Sequence, residues 1–133
     1  MLDEGFGPTG KDAKSQRELN MLRLGQLWEA LLRNARFIVA IKMHTGQMTF
    51  EKAVRFFEKE AYQSHTGSVM EAKRGTSNPT YLYYTLGKLE ILKLRAEVQA
   101  KQGAAFNLQK FHDDFVQQGY PPIKMVRRAL LQG

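Results

Sequence analysis

The chain has no cysteine. Disulfide staples, thiolate metal sites and a cysteine nucleophile are therefore excluded. Long apolar runs are also missing. The longest, Phe37 to Ile41, stops at Lys42, far short of the roughly 18 residues a membrane span needs. Proline is scarce, with four in 133 residues, and no segment alternates apolar and polar residues as a half-buried strand does. The first ten residues carry acids and glycines, where a signal peptide needs a basic start and an apolar stretch. Their composition leaves the compartment open. Metal motifs are thin too. His44, His65 and His112 lie 21 and 47 residues apart, whereas a His-Glu-x-x-His pair needs ligands one helical turn apart. There is no Gly-x-Ser-x-Gly elbow and no glycine-rich phosphate loop. The carboxylate neighbours Glu58 with Glu60 and Asp113 with Asp114 point to different parts of a helix surface.

What is present is helical. The hydrophobic share, 43%, supports a real core in a chain of this length. Met1 to Lys14, with three glycines and Pro8, reads as a flexible lead-in. Residues 15–133 read as a single all-α domain of about five main helices in an orthogonal or irregular bundle. From Ser15 to His44, Leu24, Leu27, Trp28, Leu31, Ala35, Ile38 and Ile41 recur at three- and four-residue steps, which predicts one apolar face. Gly46 is a natural stop. Thr49 is a good N-cap and Glu51 suits the first turn that follows. That second helix should run to about Gln63, with Phe50, Ala53, Val54, Phe57 and Ala61 on its inner side. The polar stretch from His65 to Gly75 predicts one or two turns around Val69 and Met70. Ser77-Asn78-Pro79 is the clearest start signal, for a helix ending at Gly103. There Tyr84, Gly87, Ile91, Leu94 and Val98 share one face and Leu82, Leu86 and Leu89 make another, the pattern of a central helix. Asn107 caps the next helix, with Phe106 and Phe111 at staple spacing. After Tyr120-Pro121-Pro122, a last helix carries Ile123, Met125, Val126, Leu130 and Leu131.

The net charge of +7 raises nucleic acid as a partner, but the cations are scattered, with only Lys73-Arg74 and Arg127-Arg128 adjacent. An ordinary solvated surface is the simpler reading. Tyr81, Tyr83 and Tyr84 stand out, because buried tyrosine hydroxyls need partners. Tyr81 and Tyr84, three apart, can face the same way. Tyr84 shares its face with Gly87, which leaves room for a ligand or a backbone. His44, at a helix end, is either a cap or a cleft residue.

Two stretches resemble a known family. One runs from Leu31 to Gly46 and continues through Met48-Thr49-Phe50-Glu51-Lys52-Ala53. The other runs from Asn78 to Lys88, with Ile91, Leu94-Arg95, Phe106-Asn107-Leu108 and Phe111-His112-Asp113. Their order resembles the C-terminal end of the bacterial domain-of-unknown-function family 885, whose members look like distant, all-helical zinc metallopeptidases related to angiotensin-converting enzyme. The resemblance implies that this chain is the C-terminal part of a larger protein, periplasmic or cytoplasmic, in which the zinc ligands precede these residues. It implies no metal site and no cofactor here, zinc belonging only to the longer parent. It makes Tyr84 the candidate oxyanion contact and Tyr81, Gly87, His44 and Arg36 candidate cleft residues, with peptide substrate bound only in the intact protein. The expected partners are the rest of the parent or a second copy, through exposed apolar faces. The rival expectation is a free-standing basic helical module that binds a protein or nucleic acid.

Overall fold

A computed structural model describes residues 12–132. The lead-in expected over Met1 to Lys14 lies mostly outside the described residues. At its end, Asp12 already caps a helix. Its carboxylate accepts from the amides of Lys14 and Ser15 at 2.9 Å each, so the helix starts at Ala13. Among the described residues there are six α-helices, two short 3-10 turns and no strand, as the periodicity predicts. No helix among them is long and apolar enough to cross a membrane. The contacts divide the chain into two compact units between Leu82 and Tyr83.

The first unit holds α1 (Ala13–His44), α2 (Phe50–Glu60), α3 (His65–Ser77) and the 3-10 turn Pro79–Leu82. Gly46, at φ +71°, reverses the chain after α1, a conformation that favours glycine. Thr49 Oγ1 accepts from the Lys52 amide at 3.3 Å and starts α2. The core gathers Val39, Ala40, Ala53, Val54, Phe57, Ala61 and Ala72. Phe57 is completely buried, which is worth about 1.5–3 kcal/mol for a side chain of that size.

Two expectations shift. The inward side of α1 is Leu32, Ala35, Val39 and Ala40. Of the predicted stripe only Ala35 is fully buried, and Leu24, Leu27, Trp28, Ile38 and Ile41 stay open. Apolar residues surround much of this helix, so spacing alone could not choose the side that meets a neighbour. The polar stretch after Ser64 is a full helix of 13 residues. Its buried residues are Ser68, Ala72 and Gly75. Small side chains permit close packing without creating a visible hydrophobic period.

The second unit holds α4 (Tyr83–Gln102), the 3-10 turn Gly103–Ala105, α5 (Leu108–Gln117) and α6 (Ile123–Gln132). Asn107 Oδ1 accepts from the Lys110 amide at 2.8 Å, and Phe106 packs on Phe111 with ring centroids 6.4 Å apart. The core is small: Leu94, Val98, Phe111 and Val126. Arg127 of α6 reaches both Glu97 and Glu90 of α4. Leu86, Leu89, Ile91 and Leu92 stay exposed, so α4 is buried only along its second half rather than throughout its length.

Candidate functional site

The first unit contains one polar assembly shielded from water. Arg36, on α1, donates from Nε to Glu71 Oε2 and from Nη2 to Glu71 Oε1, both at 2.7 Å. This two-pronged geometry matches the planar guanidinium to the carboxylate. The two side chains are only 16% and 14% exposed. The Tyr81 hydroxyl donates to the same Glu71 Oε2, and the Arg36 guanidinium lies 5.2 Å from the centre of the Tyr81 ring, within cation–π range. Burial alone would raise the Glu71 pKa. Hydrogen bonds from Arg36 and Tyr81, with the charges of Arg36 and Arg74, outweigh it and hold the carboxyl below its ordinary value. Burial, reinforced by Glu71, pushes the Tyr81 phenol up to about 12. The hydrogen bonds of Glu71 push the Arg36 guanidinium above its ordinary value. At neutral pH the cluster is thus a fixed cation, a fixed anion and a neutral phenol.

Local structure explains the gathering. Asn78 Oδ1 accepts from the Thr80 amide at 2.9 Å and from the Thr80 hydroxyl at 2.6 Å. It begins a 3-10 turn where an α-helix was expected at once. That turn aims Tyr81 into the core, where it is 5% exposed. Close by, His44 Nε2 donates to the Gly75 carbonyl at 3.1 Å. Gly75 is packed so that an added Cβ would meet Met43, Val39 and Tyr81 at 3.8–4.0 Å.

The sequence-predicted residues therefore divide. Arg36, His44 and Tyr81 come together in the first unit, and Tyr84 and Gly87 lie on α4 of the second. Tyr84 is 67% exposed, and an added Cβ at Gly87 would meet nothing within 4 Å. Tyr81 is buried within the first unit, whereas Tyr84 is open on α4 of the second. The residue that organises the cluster, Glu71, was missed. Its one sequence signal was an acid inside a segment read as polar, and no local spacing connects it to Arg36, 35 positions away.

The zinc that the resemblance implies has no ligand set among the described residues. His44 is engaged with Gly75, and His65 Nδ1 lies 2.6 Å from Glu58 Oε1. The His112 ring packs beside Phe111, with centroids 5.8 Å apart. Among the described residues no three histidines or acids are placed to hold a metal.

The profile of the family described as "Bacterial protein of unknown function (DUF885)" matches residues 1–130. No curated protein and no solved structure matches the chain.

Proposed function

The chain belongs to this family of bacterial proteins, DUF885, and from that premise we propose that it is the helical C-terminal segment of a zinc-peptidase-like protein, supplying scaffold and part of a substrate cleft without catalysis of its own. The supporting observation is apolar surface left open on two helices that are patterned for burial. Met21, Leu24, Leu27 and Trp28 on α1, and Leu86, Leu89, Ile91 and Leu92 on α4, are all exposed. Open apolar surface on helices patterned this way is where another body of protein would pack.

The polar residues then take different roles. Arg36, Glu71 and Tyr81 satisfy one another, so they act as scaffold that anchors α3 and the 3-10 turn to α1. Tyr84, 67% exposed, is the donor to a developing oxyanion, a task suited to a positioned hydrogen-bond donor. Zinc, when bound in the intact protein, would polarise the scissile carbonyl and activate water. Its ligands are assigned to residues outside this chain.

Titration of the chain with zinc in a calorimeter is the first test. No saturable site is expected, and one tight equivalent would overturn the proposal. The genomic DNA upstream of the Met1 codon should continue in frame and encode a His-Glu-x-x-His helix; an in-frame stop codon there is the opposing result. In the intact protein, Tyr84→Phe should lower kcat by about 10²–10³ if the hydroxyl serves the oxyanion. Tyr81→Phe should leave kcat nearly unchanged while lowering stability.

A further inference from the structure

The two halves of α1 are held by different means. From Ala13 to Ala30 no residue is buried, whereas Leu32, Ala35, Val39 and Ala40 of the second half sit in the core of the first unit. The changeover falls at Trp28. Its indole Nε1 donates to the Ala61 carbonyl at 3.2 Å, and Gln63 Nε2 donates to the same oxygen at 3.1 Å. The receiving turn is itself fixed. The amides of Ala61 and Gln63 both donate to the Phe57 carbonyl at 3.2 Å. Between them Tyr62 holds a left-handed backbone, φ +51°, with its ring 75% exposed. Ahead of Trp28, by contrast, Met21, Leu24 and Leu27 are 60–63% exposed.

Local sequence does not make up for the missing core. Alone in water, helices shorter than about 12–15 residues are marginal, and Ala13 to Leu27 is no longer than that. Ser15, Asn20 and Gly25 interrupt it at regular intervals, and each has lower helix propensity than the alanine, leucine, lysine and glutamine around it, glycine the lowest. The first turn carries Lys14 and no acid, the wrong sign for the positive end of the helix dipole. Lys14 and Glu18 stand one turn apart in the less favourable order, cation first. Asp12 opposes these losses as N-cap, accepting from the Lys14 and Ser15 amides at 2.9 Å, and Gln16 donates to Asn20 at 3.1 Å. Both contacts act within the helix, and neither joins it to the unit.

Gly25 is the natural place for a break. An added Cβ there would meet nothing within 4 Å, and its φ is not positive. Neither packing nor a left-handed backbone therefore requires glycine, and what glycine supplies is backbone freedom. We infer that Ala13–Leu27 is an arm that orders and disorders independently of the first unit, with Gly25 as its weak joint and Trp28 as its anchor. The apolar stripe of Met21, Leu24 and Leu27 is then a surface only while the arm is helical. The arm and the core both lie within this chain, so the arm's behaviour does not depend on whether a longer parent exists.

Residue-resolved hydrogen exchange on the full chain is the test. Amides from Arg17 to Leu24 should be slowed by less than about a hundredfold relative to an unstructured chain, and those of Val39, Val54 and Phe57 by at least about 10³. Gly25→Ala should slow exchange in the arm severalfold, up to about fivefold, and leave the core amides as they were. Gly25→Pro, which removes a helix hydrogen bond and clashes with the preceding turn, should abolish protection in the arm and again spare the core. Trypsin should cut after Arg17 and Arg23 before it cuts after Arg33, Arg36 or Lys42. Arm amides as protected as Val39 would overturn the inference. So would an arm indifferent to Gly25→Ala, or a core that loses protection in Gly25→Pro, because the arm would then belong to the cooperative fold of the unit. The zinc titration bears only on the larger-protein reading, and either of its outcomes leaves the arm's exchange unchanged.

Discussion

The two units handle their charges and their cores differently. In the first, α1, α2, α3 and the 3-10 turn close around Phe57 and Val39, and the Arg36–Glu71 pair is almost as sheltered as the core itself. In the second, four residues form the whole buried core. Two of its ion pairs join Arg127, 26% exposed, to Glu90 and Glu97, at 37% and 33%. A sheltered pair is costly to break, because removing one partner strands a desolvated charge. A half-solvated pair is worth little, because water replaces the lost partner. The same residue types therefore carry different energetic weight in the two units.

Substitutions can break or sharpen this contrast. The largest effect is expected from Phe57→Ala, at about 3–5 kcal/mol. Denaturant unfolding should measure it, and hydrogen exchange should show loss of protection in α1, α2 and α3. If α5 and α6 lose protection equally, the two units unfold as one body and the contrast fails. Next comes Glu71→Leu, which leaves Arg36 and the Tyr81 hydroxyl without their partner. About 3 kcal/mol of destabilisation is expected, against 1 kcal/mol or less, in round terms, for Arg127→Met. Equal losses would mean that the shelter of the first pair has no energetic consequence.

Acidity and alkalinity probe the same cluster from opposite sides. The folded state holds the Glu71 pKa below its ordinary value, so the unfolded chain binds this proton more readily. The resulting stability is present above the ordinary carboxylate pKa and is lost as pH falls through the lowered folded value. In Glu71→Gln that part of the acid-induced loss should vanish. For Tyr81 the sign is reversed. Its pKa rises from 10.0 to about 12 on folding, so this contribution is complete below pH 10 and is lost as pH climbs towards 12. Of the five tyrosines, one should titrate last when tyrosinate absorbance is followed, and Tyr81→Phe should remove that late step. The smallest effect is expected at Tyr62. Asparagine tolerates its left-handed backbone better, so Tyr62→Asn should stabilise the chain by about 0.5–1 kcal/mol. A loss of stability would show that the ring packs more productively than its exposure suggests.

The amino-acid sequence by itself determined the helical class and most helix ends. Thr49 and Asn107 cap where they were read, and Gly46 and Gly103 take the positive φ expected of stops. Capping and chain reversal act within about one helical turn, so the information is local. Tertiary structure alone decided which side of α1 turns inward, that Glu71 joins Arg36 and Tyr81, and that Tyr81 is buried while Tyr84 stays open. Those outcomes depend on neighbours tens of residues away. A stripe such as Leu24, Leu27 and Trp28 states only that a helix can be covered on that side, while burial and ion pairing also require the surface that comes to meet it.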